Sequence, residues 1–137
     1  MSSSQLSRPT SRTEALLRLR DITELAELFL DGAQQQFLAL PRANREATSR
    51  ACEATNAAIR SSRAYLNDLS AVNAATAGEW IYRAAASWTL AKNRMVLRQQ
   101  AAAEVWLKIL AIWADSLEVA LAFRPETPEG KGPNEAR

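Results

Sequence analysis

Residues 95–123 read MVLRQQAAAEVWLKILAIWADSLEVALAF, and the apolar positions of this stretch decide the fold. Met95, Ala102, Trp106, Ile109, Trp113, Leu117 and Ala120 recur at three-, four- and seven-residue steps, which places them on one face of an α-helix. Val105, Ile112, Val119 and Phe123 make a second stripe beside the first, sharing Ile109. An arc this wide exceeds what one neighbouring helix covers. It predicts burial between two partner helices, with exposure to an oligomer partner or a hydrophobic phase as the alternative.

Upstream, the same periodicity continues. Ser11 and Glu14 have the spacing of a capping box, in which Ser11 takes the Glu14 amide and Glu14 reaches back. From there Leu16, Leu19, Ile22, Ala26, Phe29, Ala33, Phe37 and Leu40 form one helical stripe. Pro41 interrupts it, because proline removes a backbone donor and pushes the preceding residue out of the helical region. A restart with Pro41 in the first turn is expected. The next segment, to about residue 76, is poor in bulky apolar groups. Its inner face runs Ala47, Ala51, Ala54, Ala58, Tyr65, Leu69 and Val72, with Ile59 and Leu66 alongside. Its outer face carries Arg42, Arg45, Glu46, Arg50, Glu53, Arg60 and Arg63. Small residues allow close helix approach but bury little area, so this segment needs neighbours.

Two further weak points are residues 73–78, where Gly78 and Asn73 are poor helix formers, and residues 90–93. The predicted fold is therefore all-α: three long amphipathic helices over residues 11–40, 41–76 and 79–123, or four where a weak point turns, in a bundle or coiled-coil-like arrangement. Residues 1–10, rich in Ser, and 124–137, with three of the chain's five prolines among residues 125–137, are expected to be flexible ends around one helical domain of residues 11–123.

Composition narrows the chemistry. The 137 residues hold no His, which removes the commonest general base and neutral metal ligand. A single Cys, Cys52, forms neither an internal disulfide nor a thiolate zinc site. No glycine-rich phosphate loop is present, and a carboxylate cage with Glu-x-x-His repeats is impossible without His. No enzyme activity, cofactor or metal is expected. A formal net charge of +2 is too small for a dedicated nucleic-acid binder. No apolar leader follows Met1, and the apolar run near residues 105–113 is interrupted by Lys108 and is too short to span a bilayer. A cytoplasmic location without a transmembrane segment is expected.

What remains is apolar surface. Trp80, Trp88, Trp106 and Trp113 all lie in the second half, at spacings of eight and seven that keep each pair on one side of its helix. Indoles suit sites with one apolar and one wet end, so core packing and an external interface both fit. The candidate surface or oligomer contacts are Phe29, Phe37, Trp80, Trp88, Trp106, Ile109, Trp113 and Leu117. A chain with so Ala-rich a middle gains by pooling apolar faces with a second copy or by laying them on a hydrophobic surface.

The stretch TNAAIRSSRAYLNDLSAVNA (55–74), then LAKN (90–93) and MVLRQQAAAEVWLKIL (95–110), resembles the phasin family, the proteins that coat bacterial polyhydroxyalkanoate granules. Phasins run as Ala-rich amphipathic helices with Asn/Ala/Tyr-type positions, followed by an Ala-Lys segment and a helix with a Val-x-Leu-Gln-like start. The resemblance spans roughly residues 55–115 and includes no invariant motif. The sequence departs from it in its tryptophan content and in a shorter segment after residues 91–92. The resemblance implies a granule-associated helical protein that oligomerises, binds a hydrophobic polyester surface and limits coalescence, with no catalytic residues. Two rivals are a helical protein–protein module, such as an adaptor or chaperone-like subunit, and an amphipathic membrane-surface protein. The latter would depend on anionic lipid, which the near-neutral charge disfavours.

Overall fold

The computed structural model describes residues 8–37, 40–69 and 73–122. Among these, the chain forms four helices and no strand: α1 (Arg12–Phe37), α2 (Arg42–Asn67), α3 (Asn73–Asn93) and α4 (Leu97–Ala122). The all-α bundle read from the periodicity is the observed architecture. Residues 1–7 and 123–137, most of the expected flexible ends, lie outside the described residues, as does Val72 of the expected α2 face.

Each boundary has a local cause. The Glu14 amide donates to Ser11 Oγ at 3.1 Å, as the capping box requires. The reciprocal bond shifts by one residue: Glu14 Oε1 accepts from the backbone N–H of Thr10 at 2.8 Å and from its hydroxyl at 3.0 Å. These two donors, with Arg18 adding charge, hold the Glu14 carboxyl below its ordinary value. α1 ends three residues before the expected Leu40, which leaves the helix and is buried. Pro41 is the N-cap of α2 rather than part of its first turn, with its carbonyl accepting from the Arg45 amide at 2.9 Å. α2 stops at Asn67, nine residues earlier than expected, and the Asp68 amide folds back onto the carbonyls of Ala64 and Tyr65.

The weak point at residues 73–78 is not a turn. It is the first part of α3, and Gly78 lies inside that helix. The expected single helix over residues 79–123 is instead divided by a turn at residues 94–96, just beyond the weak point at 90–93. There the Arg94 and Met95 amides donate to the carbonyls of Ala91 and Lys92, and the Gln100 side-chain amide bonds the carbonyls of Lys92 and Met95. Met95 packs into the core at the turn.

Consecutive helices pack against each other, and α4 returns to α1, closing a ring. The most extensive contact is α2 on α3. Ala51 and Ala58 of α2 and Ala77, Ala84 and Ala91 of α3 are almost fully buried. Side chains this small let two backbones approach closely. The bulky residues fill the rest: Leu19 and Ile22 from α1, Tyr65 from α2, Ile81 and Trp88 from α3, and Trp106, Ile109, Leu110, Trp113 and Leu117 from α4 form one cluster. Most of the wide arc on α4 is thus covered, by α1 on one side and α3 on the other, with Val105 left exposed. No described helix is long and apolar enough to cross a membrane.

Candidate functional site

The tryptophans explain what the core needs and what it leaves outside. Trp88 stacks on Trp106 with ring centroids 5.4 Å apart and planes 6° from parallel. Phe29 meets Trp106 edge-on, 6.3 Å away. Trp88 Nε1 then donates to Thr55 Oγ1 at 2.9 Å, and that hydroxyl donates to the Ala51 carbonyl at 2.8 Å. One run of contacts therefore passes from α1 through α4 and α3 to α2. A second crosses the middle of the ring: Trp113 Nε1 donates to Ser62 Oγ at 3.0 Å. The buried N–H groups of Trp88 and Trp113, which would otherwise lose their water, each find a hydroxyl on α2.

Of the residues proposed as outward contacts, Trp88, Trp106, Ile109, Trp113 and Leu117 are buried in this bundle. Trp80 is half-buried on the α2–α3 side, with the Arg83 guanidinium 4.7 Å above its ring. Phe29 is 44 % exposed. Phe37 ends α1, and its side chain is outside the described set.

Phe29 does not stand alone. Leu28, 73 % exposed, and Val105, 43 % exposed, line the same α1–α4 groove of about 350 Å³, with Gly32, Ala33, Ala102 and Trp106. Leu25 is exposed one turn earlier on α1. Leu25, Leu28, Phe29 and Val105 thus form an apolar strip along the α1–α4 seam. Leu25 and Leu28 lie outside the helical stripe that marks the core face of α1. The only sequence signal for them is that Leu residues occupy positions a charged residue would fill on a fully wetted face. A smaller exposed apolar group, Leu90, Val96 and Leu97, surrounds the α3–α4 turn.

The charged surface is divided by helix. α1 carries three basic and five acidic residues, whereas α2 carries five arginines and two glutamates. Ion pairs stitch several seams: Arg63 to Glu27 between α2 and α1, and Lys92 to Glu104 at 2.9 Å between α3 and α4. The Lys92 ammonium holds the Glu104 carboxyl below its ordinary value. Tyr82 donates its phenol to Glu118 at 2.8 Å, which pushes that phenol's pKa up. Burial, with Glu53 adjacent, pushes the Cys52 thiol up to about 11, so a neutral thiol rather than a thiolate sits there near pH 7. No group of three or more potential metal-ligating side chains occurs among the described residues.

Comparison with family models, with curated proteins and with solved structures finds no match to this chain.

Proposed function

We propose that this chain is a non-catalytic surface protein that adsorbs as a closed four-helix bundle to a hydrophobic polyester granule, in the manner the phasin resemblance implies. The α1–α4 strip carries this reading. Its four bulky side chains keep between 38 % and 73 % of their surface in water and lie beside one groove, whereas Leu90, Val96 and Leu97 form a smaller exposed group at the α3–α4 turn. Covering a Leu, Val or Phe side chain completely contributes about 1.5–3 kcal/mol, so the strip supplies a few kcal/mol, enough for reversible adsorption. Many copies side by side would then cover a granule and keep the wet faces of α2 and α3 outward, which limits coalescence.

A second reading, the protein–protein module, draws support from the Trp88–Thr55 and Trp113–Ser62 bonds, which tie α3 and α4 to α2 and favour a closed body with a defined apolar seam between α1 and α4. Co-sedimentation with polyhydroxybutyrate particles separates the two. Wild type should bind and a Leu28→Glu/Val105→Glu variant of unchanged helicity should not, with neutral and anionic liposomes as comparators. Binding by both proteins would refute the strip as the contact. Binding by neither would favour the module reading.

A further inference from the structure

We propose that the groove between α2 and α3 is a binding site for a linear oligophosphate anion, an inference independent of the granule reading. The groove encloses about 610 Å³ and is lined by Arg50, Arg60, Arg83, Trp80, Asn56 and Ser87 above a floor of alanines. Its shape follows from the helix pair. Ala54 and Ala57 are too small to fill the space above the α2–α3 contact, so the long side chains on either side stand as walls around a trough.

Three features of these walls point to phosphate. First, guanidinium groups come from both helices, and Arg pairs with phosphate oxygens two N–H groups at a time. Second, Arg83 is held in place before any ligand arrives, by the Trp80 ring at 4.7 Å and by Glu79 at 3.1 Å. Third, Arg50, Arg60, Asn56 and Ser87 make no side-chain hydrogen bond or ion pair among the described residues, so their donors are available to an occupant.

Geometry favours a chain of phosphates over a single one. Arg50 and Arg60 lie ten positions apart on α2, roughly 15 Å along the helix at 1.5 Å per residue, a spacing that suits successive phosphates of a chain better than one orthophosphate. The trough is flanked beyond α2 and α3 by the acidic α1 and α4, which suits a short polyanion lying in the groove rather than a long one draped over the molecule. Glu53, whose carboxylate also lines the groove, opposes the occupant.

Titration of the protein with orthophosphate, tripolyphosphate and ATP at low ionic strength tests the site. Trp80 fluorescence and calorimetry are the readouts; the other three indoles are buried, so Trp80 reports the groove. Tripolyphosphate is expected to bind at least tenfold more tightly than orthophosphate. ATP exceeding tripolyphosphate, with the excess lost in Trp80→Phe, would identify a nucleotide as the source; equal affinity would identify an inorganic chain. Arg60→Gln/Arg83→Gln should weaken tripolyphosphate tenfold or more, and Arg50→Gln alone about threefold. Glu53→Gln should tighten it, which a merely structural role for these residues would not produce. The proposal fails if tripolyphosphate does not bind. It also fails if Arg98→Gln/Lys108→Gln on α4 weakens binding as much as the groove variants, since that reports only diffuse charge.

Discussion

Thr55 is a polar residue at zero exposure in a core of alanine and indole, and its hydroxyl is used twice, as acceptor from Trp88 and as donor to Ala51. Thr55→Val keeps the shape and removes the hydroxyl that accepts from the buried Trp88 N–H. That change should cost about 1–3 kcal/mol in urea unfolding, whereas adding Trp88→Phe to it should cost less than the two single changes combined. Cys52 gives a residue-scale dependence on pH. Its folded pKa of about 11 exceeds the ordinary thiol value near 9, so its contribution is present below pH 9 and is lost as pH rises towards 11. Two pKa units correspond to about 2–3 kcal/mol. Between pH 8.5 and 11 the wild type should therefore lose more stability than Cys52→Ala in parallel unfolding curves. Neither feature was legible in the sequence, which shows of Cys52 only that the chain offers it no disulfide partner. Sequence shows that a buried indole needs a partner but not that Thr55 and Ser62, more than thirty positions away, supply it.

At the scale of the element, breaks were legible where a residue forces them and shifted where packing decides. Pro41 separates α1 from α2 because its ring and missing N–H leave no alternative. Gly78 only lowers helix propensity by about 1 kcal/mol, and the contacts of α3 with α2 and α4 outweigh that. The observed ends of α2 and α3, at Asn67 and Asn93, are followed by neither Gly nor Pro in the sequence before the next helix begins. They mark where the apolar face must reverse to keep facing the ring. Gly78 is then simply a helical residue, with Leu117 Cδ2 at 3.6 Å from where a Cβ would stand, ordinary van der Waals contact. Gly78→Ala should stabilise the protein by about 0.5–1 kcal/mol, seen as a higher denaturant midpoint with unchanged slope. Gly32→Ala, where a Cβ meets open space, should gain a similar amount. If Gly78→Ala destabilises while Gly32→Ala does not, α3 and α4 pack more tightly there than 3.6 Å implies.

For the whole molecule, the width of the α4 arc was legible but its owner was not, since periodicity shows that a face must be covered without showing by which chain. The ring of four helices answers it from within: five of the eight apolar residues first read as outward contacts face α1, α2 or α3 instead. The surface proposed for adsorption is the α1–α4 strip, and that proposal makes a prediction about the state of the bound protein. If the strip is the contact, adsorption leaves the Phe29–Trp106–Trp88 stack and both indole hydrogen bonds intact. Trp88, Trp106 and Trp113, none more than 3 % exposed, should then keep a blue-shifted emission and resist iodide quenching on polyester particles as they do in solution. Opening the ring to lay the inner faces on the polymer would break the bonds to Thr55 and Ser62 and give those three indoles a new environment. A Trp80→Phe background removes the half-buried fluorophore, so the signal comes from the core alone. Unchanged quenching with binding places the function on the closed bundle. A large change with binding would mean that the core itself is the adhesive surface, and Thr55→Val, by weakening closure, should then adsorb faster than wild type.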